Sequence, residues 1–491
     1  MILPTNLTEE QRDYAVFLPA LSTFYVNVTG KTQHSAGSNN PSVLPERIPE
    51  ALDTDGSKLD YLKPDALWTY KWSLHSAGHS SLDIDKDLPR EMMYRERDRN
   101  TSFMLGDSGG FQIGKGKWAG DWKANSGCPA AQKKRDGVLK WMDKYMDYGM
   151  ILDVPAWLSR SPEGAAAAQI SSYQEAADAT AFNNEYFIKH RSGDCKFLNV
   201  FQGENHAQAD LWYEQMKHFG DPKKYPDAHF NGYAMGGQNA CDVHLILKRI
   251  VTLMHDGLLE KGKHDWMHVL GTGKLEWAGV LTAMQRGVRK LYNENFTISF
   301  DCASPFLAVS NGAQYTHYKH PHNDKWGYIM ESAPDDKAFS NDTTPWDDYC
   351  AKLYDNWMPS PMSQNLRLKD VCVYAPGDLN KIGLEGKTSW DTFSYCLLMN
   401  HSIYLHIRSV QETNRLYDEG SYPYQLVDNN FDETAVKDVI ARIFELDDFD
   451  KQMKLIDDHS RLWMRVVGSR GAIGKKTINA STQFASLFEE V

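Results

Sequence analysis

Apolar runs of strand length recur along this chain, and most of them break at the C-terminal end into glycine or an acidic residue. Residues 24–28, 103–105, 150–154, 197–201, 232–235, 267–270 and 297–300 read as strands. Helical periodicity fills several gaps. Residues 240–258 carry Val243, Leu245, Ile246, Ile250, Val251 and Leu258 near a three-to-four spacing, and 277–291 behave alike. Strand and helix alternating this often, with polar residues where strands end, predict an α/β fold: a TIM-type (β/α)8 barrel. An open doubly wound sheet would more often gather its glycines in one phosphate-binding loop.

Two of these strands end in an aspartate. Phe103-Met104-Leu105 runs into Gly106-Asp107-Ser108-Gly109-Gly110-Phe111-Gln112, and Thr297-Ile298-Ser299 runs into Phe300-Asp301-Cys302. A lone aspartate at such a place is usually a cap or turn residue. In a parallel barrel, however, the C-terminal strand ends form the catalytic rim. Two carboxylates there can act as nucleophile and proton shuttle in a substitution at a sugar carbon.

With 491 residues, 42% of them hydrophobic, the chain has room for a barrel and for insertions. Residues 30–60, 75–100 and 323–363 read as insertions or irregular stretches. Helical patterns then cover 390–412, 433–444 and 449–467. The expected organisation is a barrel over 1–410 and a C-terminal helical extension, 411–491, packed on it. Seven cysteines without a CxxC pair argue for a reducing cytoplasm. No signal segment or membrane-length run is evident, so no membrane partner is expected. A net charge of −12 excludes a polycation, and any grip on nucleic acid must come from local patches.

Taken in order, the strand-end residues match a family. The blocks are Gly106 to Gln112, Leu152-Asp153, Val200-Phe201-Gln202-Gly203, Gly232-Tyr233-Ala234-Met235-Gly236-Gly237, Leu270-Gly271-Thr272-Gly273 and Phe300-Asp301-Cys302. A weaker match continues at Asn311-Gly312 and Asn400-His401. The chain resembles the tRNA-guanine transglycosylases, TIM-barrel enzymes that exchange guanine in a polynucleotide for a 7-deazaguanine base. The resemblance implies that Asp301 is the nucleophile and Asp107 the general acid/base. It implies that Asp153 accepts from the donor edge of the base, and that Gln202 with the backbone of Gly236 and Gly237 reads its carbonyl edge. Ser108 and Gln112 would support the pocket. The target nucleotide must leave its stack to enter.

Departures from the family matter as much. Its acidic and cysteine residues after the pocket aspartate are replaced by Val154 and Pro155. Its structural zinc uses a Cys-x-Cys-x2-Cys run and a distant histidine. Here only Cys372 and His401 are clear remnants, beside Asp370 and Ala375, which falls short of a closed four-ligand site. No metal or other cofactor is expected. The cluster His317, His320 and His322 reads as solvent-facing. After the nucleophile, a Pro-Thr-Arg loop and an Arg-Asn-Gly are replaced by Ser304-Pro305-Phe306-Leu307 and Ser310-Asn311-Gly312, which removes two arginines suited to phosphates and base edges.

Set against the resemblance, these departures imply that the polynucleotide differs while the base chemistry stays. The chain looks like the DNA-guanine transglycosylases of phages and bacteria, which insert 7-deazaguanines into DNA, in phages as protection against host restriction. DNA and a 7-deazaguanine base are the expected partners, with a partner protein or a homo-oligomer open. A divergent tRNA enzyme of the queuosine or archaeosine type is the alternative, and a non-catalytic partner subunit or another glycoside hydrolase fits less well. Lys115, Lys117, Trp118 and Lys123 follow the first aspartate motif and are candidates for phosphate and base contacts. A second basic stretch is Arg461, Arg465, Arg470, Lys475 and Lys476.

Overall fold

Eight parallel strands form one sheet in the computed structural model of the protein, which describes residues 3–29, 48–52, 56–86, 88, 91–374, 389–428 and 434–468. They are β1 (Val16–Pro19), β2 (Trp72–Ser76), β3 (Phe103–Asp107), β4 (Tyr148–Met150), β5 (Lys196–Phe201), β6 (Gly232–Met235), β7 (Trp266–Val269) and β8 (Thr297–Cys302). Their spatial order follows the chain, and β8 returns to pair with β1. An Ala20–Leu74 bridge brings β1 to β2, where the Leu21 N–H donates to the Leu74 carbonyl at 2.9 Å and all but closes the ring. The fold is the expected TIM-type barrel, with helices outside and further helices from the C-terminal part of the chain.

Alternation along each strand decides which side chains enter the barrel. It places Phe103, Leu105 and Asp107 on one face of β3, Trp266 and His268 on one face of β7, and Ser299 and Asp301 on one face of β8. At the N-terminal end Phe103 stacks on Trp266 with centroids 4.5 Å apart, and Tyr148 lies 5.3 Å from the same indole. These rings plug the barrel floor, which leaves the C-terminal end for the polar groups.

Only a short helix, Ser304–Ser310, follows β8. Helix Thr392–Asp418 comes from far along the chain to pack against it, against Leu275–Leu291 and against Thr23–Val28. Asn400 fastens this helix: its Oδ1 accepts from the Trp68 indole at 2.8 Å and its amide donates to the Tyr25 hydroxyl at 2.8 Å. A boundary at residue 410 falls inside this continuous helix, whose two halves share the core, so the expected division is corrected. Beyond it, Val436–Ile443 packs on Leu275–Leu291, while Phe449–Asp458 and Ser460–Gly468 pack on Val243–His255.

Several local expectations change. Residues 24–28 form a helix, Thr23–Val28, because the Ser22 hydroxyl caps it by accepting from the Tyr25 N–H at 3.2 Å. The first strand is instead Val16–Pro19, and the second enters the stretch expected to be a loop. Chain 150–154 is strand only to Met150. The C-terminal helix over 449–467 is two helices meeting at His459. The irregular stretch after 323 contains the second strand of a hairpin, β9 (Ala313–Lys319) with β10 (Gly327–Ser332), and helix Trp346–Leu353.

Candidate active site

A cavity of about 160 Å³ opens at the C-terminal ends of the strands. Ligand pockets for drug-sized molecules start near about 300 Å³, so this volume suits one flat heterocycle. Asp107, Gln112, Asp153, Gln202, Gly236, Gly237 and Asp301 all line it, arriving from five strand ends. Ser108 lies just behind, buried, with its hydroxyl 3.5 Å from Asp153 Oδ1.

The loop after β3 is shaped by close approach. Gly109 has φ +72°, and a Cβ there would come within 2.6 Å of the Gly78 backbone nitrogen. That tight turn leaves Asp107 at the rim, where its Oδ2 accepts a 2.5 Å hydrogen bond from the Ser76 hydroxyl. Burial raises the Asp107 carboxyl above its usual range. The Ser76 bond opposes the shift and the nearby Asp301 charge adds to it.

Asp153 faces the same space. Its Oδ2 accepts from the Gln202 amide at 2.6 Å. Burial pushes its carboxyl up to about 6, against the Gln202 bond and with help from the Asp107 charge. Asp301 is held differently: its Oδ1 accepts from the Gly271 N–H at 2.6 Å and from His268 Nε2 at 3.2 Å. Among the described residues no hydrogen bond reaches Asp301 Oδ2. The buried Gln112 Oε1 likewise has no partner among the described residues.

One assignment needs correction. The Gly236 N–H donates to the Phe201 carbonyl at 2.8 Å, so it continues the β5–β6 pairing and does not face a ligand. The Gly236 carbonyl is also taken, by the Asn239 amide at 3.2 Å. Asn239 reaches the carbonyls of Gln202 and Phe201 at 3.1 and 3.4 Å too, and so clips the two strand ends together.

At the cavity mouth Arg160 pairs with Glu204, and burial raises the Glu204 carboxyl while Arg160 restrains the shift. Lys115 Nζ stands 5.6 Å from the ring of Phe111, a lining residue. Lys117 is close enough to add to the depression of His79, another lining residue, which burial brings down to about 4. Lys123 lies by Glu175 at 3.9 Å. Trp118 does not present a stacking face. It is 7% exposed, packs below Gly109 and takes the Lys134 ammonium 4.9 Å from its ring. Trp122 is buried as well, donating to the Trp118 carbonyl at 2.8 Å. In the second basic stretch, Arg465 donates to the Val427 and Tyr424 carbonyls, and Arg470, Lys475 and Lys476 lie outside the described residues.

The residues that the resemblance would place at a zinc site serve other bonds. His401 Nε2 meets the Tyr315 carbonyl at 2.9 Å, which only accepts, so Nε2 carries the proton and Nδ1 takes the Ser360 hydroxyl at 2.8 Å. Its ring stacks on Trp357. The buried Cys372 thiol donates to the Pro334 carbonyl at 3.3 Å, and Asp370 caps a helix turn at the Arg367 N–H. Ala375 lies outside the described residues. This donor set does not fit a structural zinc. Of the histidine cluster, His322 is exposed, whereas His320 is largely enclosed and bonded to Thr413 at 2.9 Å.

Sequence reading missed Ser76, His268 and Asn239. The alternation Trp72, Leu74, Ser76 was the available signal for the first, and the inward position two before Leu270 for the second. The chain matches no protein-family model and no curated protein.

Proposed function

We propose that this protein is a DNA-guanine transglycosylase that replaces guanine in DNA with a 7-deazaguanine base through a covalent glycosyl-aspartyl intermediate. One observation carries the reading: Asp107, Asp153 and Asp301 share a base-sized cavity with Gln202 at the mouth of the barrel. Both carboxylates the chemistry needs are present, which counts against a non-catalytic subunit.

The unbonded Asp301 Oδ2 attacks C1′ of the extruded deoxyguanosine as the bond from C1′ to the base breaks. Asp107, whose burial favours the protonated form, gives its proton to the departing guanine. The incoming base then gives its N–H proton to Asp107 and attacks C1′. The ester bond breaks, and its electron pair returns to Asp301. Two displacements retain the configuration at C1′. Asp153 accepts from the donor edge of the base. The second N–H of Gln202 and the Gly237 amide serve its carbonyl.

Support for DNA over tRNA comes from the loop after the nucleophile. Pro305 and Phe306 are buried in helix Ser304–Ser310, and Phe306 packs 5.6 Å from Tyr25, so these positions offer no phosphate contact. Lys115 and Lys117 flank the mouth instead. The test is incorporation of radiolabelled guanine, and of labelled 7-deazaguanines, into DNA and into tRNA by the purified protein. Label in DNA is expected. Label in tRNA alone would establish the tRNA alternative, and label in neither would overturn the reading.

A further inference from the structure

Beneath Asp301 lies a chain of hydrogen bonds that runs in one direction. The Trp266 indole N–H donates to Ser299 Oγ at 2.8 Å. Ser299 Oγ is 2.9 Å from His268 Nδ1, and His268 Nε2 is 3.2 Å from Asp301 Oδ1. All four residues come from β7 and β8, where His268 stands directly opposite Ser299. His268 and Ser299 are fully buried.

The chemistry of the donors orders the protons. Indole nitrogen only donates, and an ionised carboxylate only accepts. His268 therefore carries its proton on Nε2, facing Asp301. In the neutral ring Nδ1 is then an acceptor, which the Ser299 hydroxyl fills while its oxygen takes the Trp266 proton. The tautomer is imposed by the two residues behind it.

We infer that His268, oriented by Ser299 and Trp266, is a positioning residue for Asp301 that acts chiefly when the nucleophile departs. This rests on the proposed reaction. His268 and the Gly271 N–H both bind Oδ1, so Oδ2 is the atom left to form the ester. In the first half-reaction Asp301 loses negative charge, and donors on Oδ1 give no help to attack. In the second half, the bond between Oδ2 and C1′ breaks and the electron pair returns to the carboxylate. Donors already aimed at Oδ1 stabilise that developing charge. An exchange enzyme needs a nucleophile that leaves as readily as it attacks, and this arrangement weights the leaving step.

The experiment separates the two halves. Protein is mixed with a guanine-containing oligodeoxynucleotide without free base, and the covalent adduct is followed on a denaturing gel. Radiolabelled guanine is then added and release is timed. His268→Ala is expected to form adduct at the wild-type rate or faster and to release it about 10- to 100-fold more slowly, the effect of losing one hydrogen bond to a charged group. His268→Gln, which keeps an N–H, should recover most of the release rate. Ser299→Ala should slow release in the same direction by a smaller factor, and it reads the relay even where His268→Ala fails to fold. Wild-type release rates in both His268→Ala and Ser299→Ala would overturn this role and leave the proposed reaction standing, as would a failure of His268→Gln to recover. A wild-type protein that never forms adduct would overturn the reaction and this role together.

Discussion

Replacing Asp153 by Asn isolates the energetic consequence of placing a carboxylate in the cavity at the barrel mouth. Its carboxyl rises from 3.8 to about 6 because burial disfavours the charged form more than the Gln202 bond favours it. The folded protein thus binds this proton more tightly than the unfolded chain. No penalty exists below the unfolded value, and the full penalty is present once pH exceeds the folded value. A shift of about two units corresponds to about 3 kcal/mol at about pH 7.5, and to about 1 kcal/mol at about pH 4.5, where the folded group is already protonated. Asn keeps an oxygen for the Gln202 amide and has the same size. Asp153→Asn should therefore be more stable than wild type by up to about 3 kcal/mol near neutrality, with the gain shrinking as pH falls. Urea titrations at the two pH values measure this through the shift in midpoint. A gain absent at neutral pH, or equal at both, would refute the reasoning. The same variant should lose affinity for the free base by about tenfold or more, because an acceptor-only group becomes half donor.

Asp301→Ala should abolish the covalent adduct on a denaturing gel, and Asp301→Asn should keep the fold, read by circular dichroism, while turnover disappears. Asp107→Asn should reduce exchange by about 100-fold or more; in the wild type, activity should fall as pH rises through the elevated Asp107 value, since the proton donor is lost, and a pH–rate profile checks this. Asn239→Ala removes two bonds to the β5 end and one to Gly236, and should cost about 2 kcal/mol in urea unfolding, with a higher KM for the base. Lys115→Ala and Lys117→Ala should each lower the slope of log K against log salt for DNA by about one.

Much of the barrel was legible in the residues themselves. β3 and β5 to β8 end in glycine-rich or acidic strings, and Asp107 and Asp301 stand out in them, whereas Asp153, Gln202 and Gly237 could be named only through the resemblance. β1 and β2 could not. Val16–Pro19 is a four-residue run with no alternation, and Trp72–Ser76 mixes polar with apolar residues, so each is a strand only because a neighbour pairs with it. Trp118 illustrates the opposite failure. Its setting among lysines reads as a nucleic-acid patch, but the turn at Gly109 opens a space that the indole fills.

By itself, the order of residues determined the alternation of strand and helix and the aspartates standing where strands stop, because both are short-range patterns in hydrophobicity and backbone freedom. Only the nearly closed sheet decided what those aspartates experience. Burial raises Asp107 and Asp153, while two donors hold one oxygen of Asp301, and His268 meets Ser299 only because β7 and β8 lie in register. Burial and strand register are properties of contacts between distant segments, and no local string encodes them.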